Sequence, residues 1–208
     1  MMLKNCLKTS ALLLGILGIC CLTTAFAKVT LSPLFSDHMV LQREAKVAVW
    51  GKSDKPLVTI ISSWDGQSTS VAVNPDGSWK TFLKTPVAGG PYTLTFDDGE
   101  ERLLINDILI GEVWICSGQS NMDMPVRGLS AKDQVLNKEM ILANANQPNI
   151  RLFKVPHKAA AQLEKDTPGR WQFSDSSTVK VFSAIGFQYA QVLQEKLNVP
   201  VGIIHSAW

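Results

Sequence analysis

Few features of this 208-residue sequence point to cross-links, nucleic acid or a membrane span. It has four cysteines, and its 20 Lys and Arg nearly balance its 18 Asp and Glu, for a net charge of +2. No run of five like charges occurs, so the strongly basic surface that nucleic acid or an anionic membrane attracts is lacking, and we expect no nucleic-acid partner. Hydrophobic residues make up 46% and charged residues 18%, a globular balance that excludes disorder over the whole chain.

The longest apolar run lies in the first 27 residues, which we predict to be a signal peptide. Lys4 and Lys8 are the only charges there, Ala11–Leu22 is continuously apolar, and Ala25-Phe26-Ala27 has the small-x-small pattern of a cleavage site. The run is shorter than the ~20 residues that span a bilayer. We therefore expect cleavage near Ala27, export to the periplasm or the medium, and no stable membrane insertion afterwards. An uncleaved anchor is the alternative.

Removing that segment would leave one cysteine and a net charge of zero. Cys6, Cys20 and Cys21 lie within it, and Cys116 does not. An exported chain with one thiol has no internal disulfide, so its fold must rest on burial of apolar side chains. Cys116 ends the apolar run Val113-Trp114-Ile115-Cys116, which favours a buried thiol over a nucleophile.

Residues 28–105 have the pattern of short strands separated by turns, and no helical period. We predict a small antiparallel β-sandwich domain there. The turn signal Asn74-Pro75-Asp76-Gly77 separates the runs Ser70–Val73 and Ser78–Leu83, which predicts a hairpin. Three other runs end at glycine turns: Lys46–Trp50, Leu57–Trp64 and Tyr92–Phe96.

Residues 106–208 alternate between strand and helix patterns. Ile108–Cys116 is nearly all apolar, as in a strand buried on both faces. Ser130 with Asp133 predicts a helix start, with the helix running to about Asn144. A stripe of apolar residues four apart predicts a second, amphipathic helix over 184–198: Ile185, Tyr189, Leu193 and Leu197. Strands at 150–155 and 201–204 complete a parallel sheet with crossovers, and 157–179 is predicted to be a long polar loop.

A polar turn follows the apolar strand directly. In parallel α/β folds, ligands bind at the carboxyl ends of strands, which is where Ser117-Gly118-Gln119-Ser120-Asn121-Met122 falls. Gly118 permits a tight turn, and the backbone N–H groups after it can face a developing oxyanion. Gln119 and Asn121 add neutral donors. The turn suits a serine that attacks an ester carbonyl, and a polar cap on the next helix is the alternative.

Four stretches resemble the sialate O-acetylesterases, carbohydrate esterases of the SGNH-hydrolase type, over nearly all of the chain after the signal peptide. Ile110–Met122 resembles the nucleophile block of that family. The other three are similar to the start of its β-domain, the lead-in to a helix, and its next block: Leu34–Arg43, Phe182–Ala184 and Asn198–Trp208. The resemblance implies a flavodoxin-like parallel sheet, incomplete here, behind the β-sandwich.

The resemblance also implies roles for single residues. Ser120 would be the nucleophile, with its own N–H as one oxyanion donor and with Gln119 and Asn121 on the oxyanion and substrate side. O-acetylated sialic acids are the implied substrate, and acetylated plant polysaccharide of the xylan type is an alternative in the same reaction class. The chemistry needs no cofactor, and no Cys or His cluster has metal-ligand spacing. The sequence leaves the oligomeric state open.

The family's base and its orienting acid, an Asp and a His three residues apart, have no counterpart. His38, His157 and His205 have Phe35, Lys154 and Gly202 three residues before them. The family's second oxyanion donor is a Gly directly after the Trp at 208. We therefore expect the chain to be the N-terminal part of a longer esterase and a poor esterase alone, because a serine needs a base to accept its proton. A carbohydrate-binding or structural β-module is the alternative.

Overall fold

The computed structural model describes residues 29–132 and 134–208. The predicted signal peptide, Met1–Ala27, lies outside the described residues. Within the two described ranges, no helix combines the length and the apolar character needed to cross a membrane.

Strands dominate the described part of the chain. They are β1 (Thr30–Leu31), β2 (Val40–Gln42), β3 (Lys46–Lys52), β4 (Leu57–Ser62), β5 (Ser68–Ala72), β6 (Ser78–Lys84), β7 (Gly89–Asp97), β8 (Arg102–Gly118), β9 (Gln147–Lys154), β10 (Trp171–Ser174) and β11 (Val201–Ala207). The helices are α1 (Ser120–Asp123), α2 (Lys138–Ala143), α3 (Ser176–Lys180) and α4 (Ala184–Leu197). β10 lies within the segment predicted to be a loop, 157–179, and α3 begins there, so the loop prediction is wrong for them.

The amino-terminal strands form two antiparallel groups around one apolar core. β1, β3 and β6 make a three-stranded sheet, and β5, β4 and β7 continue into β8. Trp79 on β6 lies 5.9 Å from Phe96 on β7, ring centre to ring centre, so the two groups share buried aromatic contacts.

The predicted hairpin is wrong. The turn itself forms, because the Gly77 N–H donates to the Asn74 carbonyl at 2.9 Å. However, β5 pairs with β4 and β6 pairs with β3, so the turn carries the chain from one sheet to the other. Turn residues specify a local reversal of the chain, whereas strand partners are decided by which faces can be buried. β6 buries Trp79 and Leu83, and β5 has no buried residue.

β8 is the longest described strand, and it pairs with strands of both the amino-terminal and the carboxyl-terminal sheets. Its seventeen residues pair with β7 antiparallel as far as Ile110, and with β11 in parallel from Glu112 to Gly118. The predicted division between residues 105 and 106 falls inside this strand. The two-domain organisation therefore stays a prediction.

The three strands predicted to form a parallel sheet are parallel, but the carboxyl-terminal sheet is mixed, because β10 adds an antiparallel strand, and its strand order corrects the predicted flavodoxin-like order. β11 lies between β8 and β9 and is parallel to both, and β10 is antiparallel to β9. In the flavodoxin order, the first strand would lie between the next two. Strands buried on both faces read as uniform apolar runs, so their sequence does not specify their order. No helix connects β9 to β10, which suits an antiparallel pair because a parallel pair needs a crossover.

α4 forms where predicted, but its buried face differs from the predicted stripe. Ala184, Phe187 and Ala190 are buried against the sheet. Ile185 and Tyr189, from the predicted stripe, are exposed. The buried face thus centres on Phe187 with small residues beside it, and of the predicted stripe only Leu193 packs against the core.

α2 is shorter than the predicted helix from Ser130 to Asn144. The hydroxyl of Ser130 accepts a hydrogen bond from the Lys132 N–H at 3.2 Å, a local turn that competes with a helix start. The helix begins at Lys138, near Ile141, which is buried. Short helices need tertiary packing, and the exposed Leu136 provides none.

Candidate active site

The predicted nucleophile turn lies where two parallel strands end side by side. Ser117 and Gly118 of β8 are in register with Ser206 and Ala207 of β11. The N–H of Trp208 donates to the Gly118 carbonyl at 3.1 Å, which holds the two strand ends together. Gly118 has a φ of +152°, a conformation that other residues rarely adopt, and α1 begins two residues later at Ser120.

The structure brings the three predicted site residues together on the surface. Gln119, Ser120 and Asn121 are all exposed at the carboxyl end of β8. Within the described residues, no side chain accepts or donates a hydrogen bond at the Ser120 hydroxyl. Ser120 is therefore open to a ligand, and its proton acceptor is not identified among the described contacts.

An open cleft of about 450 Å³ adjoins this turn. Gln119 lines it together with two residues that the sequence did not single out as site residues, His157 and Trp208. The two rings stack at 5.3 Å with 6° between their planes, and His157 Nε2 lies 3.3 Å from Asp123 Oδ1. Asp123 and His157 are 34 residues apart, and a pairing at that separation has no local sequence signal.

His205 lies beneath the turn and is fully buried. Its Nε2 is 3.2 Å from the Met122 carbonyl oxygen and 3.6 Å from Asp123 Oδ1. Burial lowers the pKa of His205, and the nearby positive charge of Lys154 lowers that pKa further. The imidazole is therefore neutral at neutral pH.

We expect His205 to make the protein acid-sensitive. Burial lowers the folded-state pKa below the ordinary value of 6.5, so between these two pKa values the unfolded state binds more protons. The free energy of unfolding therefore falls as the pH drops through 6.5, and the fall ends at the folded-state pKa. Urea unfolding over this pH range measures the slope. Replacing His205 with Gln should flatten it, and an equal slope in the variant would contradict the assignment.

His38 is held far from Ser120. Its Nδ1 lies 2.7 Å from Asp107 Oδ2, and Arg151 Nη2 lies 3.1 Å from the same oxygen. Asp107 and Gly118 are both on β8, eleven residues apart, which is roughly 35 Å along an extended strand. A base must reach the hydroxyl that it deprotonates, so this position excludes His38 as the base for Ser120.

Cys116 is buried, as the sequence predicts. Burial also raises the pKa of its thiol, which keeps it protonated at neutral pH. A protonated thiol in the core is a poor nucleophile, and the exposed serine four residues later is the better candidate.

Over most of its length, the chain has a fold similar to that of a solved carbohydrate acetylesterase. The crystal structure of a carbohydrate acetylesterase from Xanthomonas citri superposes with a TM-score of 0.79 and 32% sequence identity, covering 87% of this chain and 40% of that chain. The described fold is thus shared with part of a solved acetylesterase.

The chain belongs to the sialate O-acetylesterase family. It is 30% identical to the human sialate O-acetylesterase over 193 residues, and 28% identical to the rat enzyme over 191 residues. Each alignment covers 83% of this chain, and the chain spans about a third of the length of these relatives, 36% and 34%. No family model matches the sequence.

Proposed function

We propose that this chain carries the nucleophile of a serine esterase of SGNH type that removes O-acetyl groups from carbohydrates. The observation that supports it best is the exposed Ser120 in the turn between α1 and the carboxyl end of β8, which pairs in parallel with β11. The matched relatives and the matched structure have acetylesterase names, and the open cleft beside the turn offers room for a sugar.

The proposed reaction has two steps. Ser120 Oγ attacks the acetyl carbonyl carbon as its proton passes to a base, and the bond to the sugar oxygen breaks when that oxygen takes a proton. The products are the free sugar alcohol and an acetyl-serine. Water then attacks the acetyl-serine, which releases acetate and restores the hydroxyl. Donors near the turn, the Ser120 N–H and the amides of Gln119 and Asn121, would stabilise the oxyanion.

The proposed substrates are O-acetylated sialic acids, with acetylated xylan-type polysaccharide as the second candidate. Acetate release from both, by the protein expressed from its complete gene, tests the proposal. Release from acetylated sialic acid at a kcat/KM at least tenfold higher would support the first substrate, and the reverse ratio the second. Release from neither would overturn the esterase proposal.

The rival function is a non-catalytic carbohydrate-binding or structural β-module. It is favoured by the lack of a described hydrogen bond from the Ser120 hydroxyl to a histidine. The gene sequence after codon 208 separates the two. Gly-Gly followed later by Asp-x-x-His supports the esterase, and a stop codon there supports the module.

We further propose that the protein is exported and cleaved after Ala27. Mass spectrometry of the secreted or periplasmic protein should find Lys28 as its first residue, because the small-x-small site ends at Ala27. Material that retains Met1 would contradict this proposal.

A further inference from the structure

The turn that carries Ser120 has little stability of its own. α1 is a single turn of four residues, and Gln119 at its start makes no capping hydrogen bond through its side chain. An isolated turn of this length does not hold its shape, because one helical turn does not offset the entropy of ordering it. The direction of the Ser120 hydroxyl must therefore be fixed by contacts outside the turn.

The carbonyl of Met122, two residues after Ser120, makes these contacts. Ser183 Oγ donates to it at 2.5 Å, and His205 Nε2 lies 3.2 Å from it. The Ser183 oxygen also accepts from the Gly186 N–H at 3.1 Å, where it caps α4. One backbone oxygen is thus bound from two sides, by β11 and by the start of α4, and both side chains are fully buried.

The partners of His205 fix its tautomer. A carbonyl oxygen only accepts hydrogen bonds, so Nε2 must carry the hydrogen. The other ring nitrogen, Nδ1, is buried and has no partner among the described residues. A neutral imidazole with hydrogen on Nε2 satisfies Met122 and leaves Nδ1 as the unprotonated nitrogen. The nitrogen that could accept a proton, Nδ1, is buried and has no described contact with Ser120, so His205 is not placed to act as the base.

We propose that His205 is a positioning residue, whose Nε2–H bond to the Met122 carbonyl fixes the turn that directs Ser120. This inference rests on the proposed function, because it assigns His205 a role in orienting the nucleophile. A displacement of about 1 Å in a reacting group can lower a rate by roughly 100-fold, so one buried hydrogen bond at the turn is enough to matter.

Two substitutions of His205 test the inference in the protein expressed from its complete gene. His205→Leu removes the donor and should lower kcat by roughly 10- to 100-fold, with KM changed less than threefold, because substrate does not touch this side chain. His205→Gln places an amide N–H near the position of Nε2 and should restore kcat to within about fivefold of the wild type. His38→Gln, the same substitution at the histidine that contacts Asp107 near the far end of β8, is the matched control and should leave both constants unchanged.

Two further measurements separate positioning from loss of fold. Thermal unfolding of each variant shows whether it is folded at the assay temperature. The ¹⁵N signals of His205 are assigned as those that disappear in His205→Gln. In the wild-type protein, their chemical shifts should show a protonated Nε2 and an unprotonated Nδ1. The inference is overturned by a hydrogen on Nδ1, by an unchanged kcat in folded His205→Leu, or by folded His205→Gln being as impaired as His205→Leu.

Ser120→Ala, assayed in parallel, distinguishes a failure of the positioning role from a failure of the proposed esterase function. If this variant is inactive and His205→Leu is fully active, the positioning role alone fails. If Ser120→Ala keeps its activity, the proposed function fails and the positioning role fails with it.

Discussion

Ser120→Ala should lower kcat for an acetyl ester by roughly 10⁴-fold or more, because the covalent intermediate cannot form without the hydroxyl. Such a loss equals about 5.5 kcal/mol of transition-state stabilisation. Ser120 is exposed and its hydroxyl makes no hydrogen bond within the described residues, so the variant should stay within about 0.5 kcal/mol of the wild-type stability. Steady-state kinetics and urea unfolding measure the two effects separately.

A serine-reactive fluorophosphonate gives a second test that needs no sugar substrate. The wild-type protein should gain one label on the peptide that contains Ser120, and Ser120→Ala should gain none. Ser68→Ala, a change at an exposed serine of β5, controls for loss of a remote hydroxyl and should keep full activity and labelling. Ester hydrolysis by Ser120→Ala at the wild-type rate would remove the nucleophile assignment.

Gly111→Ala should give the largest loss of stability from one methyl group. A Cβ at this position would lie 2.0 Å from the Pro200 carbonyl oxygen and 2.7 Å from the Pro200 carbonyl carbon. That oxygen accepts from the Glu112 N–H at 2.9 Å, so it cannot move without breaking the first bond between β8 and β11. We expect a loss of about 3 kcal/mol, because overpacking against backbone has no flexible side chain to relieve it.

Gly66→Ala is the control for Gly111→Ala. A Cβ there would meet nothing within 4 Å, and the only cost is the left-handed conformation, φ +65°. This cost should be about 1 kcal/mol. Denaturant unfolding of both variants should show the difference of about 2 kcal/mol. Equal losses would mean that the contact between β8 and Pro200 is loose.

The elements that the sequence predicts best are those with a strong local signal. The apolar run Ile108–Cys116 lies within β8, the strand at 201–204 lies within β11, and α4 runs from Ala184 to Leu197 with its end near Pro200 as predicted. The polar turn at Ser120 also lies where predicted, at the carboxyl end of β8, because the apolar run and Gly118 mark the end of the strand. An apolar run, a proline and a glycine are local signals, so they can be read without the fold. The predicted burial of the run on both faces is wrong at its carboxyl end, where Trp114 and Ile115 are exposed.

Apart from the local turn at Ser130 that displaces the start of α2, the main errors arise because contacts between distant residues decide the outcome. β5 and β6 are adjacent in the chain but bury different faces in different sheets. The contact of His205 with the Met122 carbonyl joins residues 83 positions apart, and that of Ser183 joins residues 61 positions apart. No periodicity or spacing reports such pairs. The sequence could therefore indicate the proposed nucleophile, but not the groups that contact its turn.

The continuity of β8 limits how this protein can be recombined. Exchange of protein modules succeeds at linkers, where few contacts cross the junction. A junction at residue 105 would build β8 from two parents. β7 and β11 would then each pair with a strand that comes partly from the other parent. The amino-terminal sheets and the sheet that carries Ser120 should therefore be inherited as one unit. A chimera of this protein should carry all of Arg102–Gly118 from one parent.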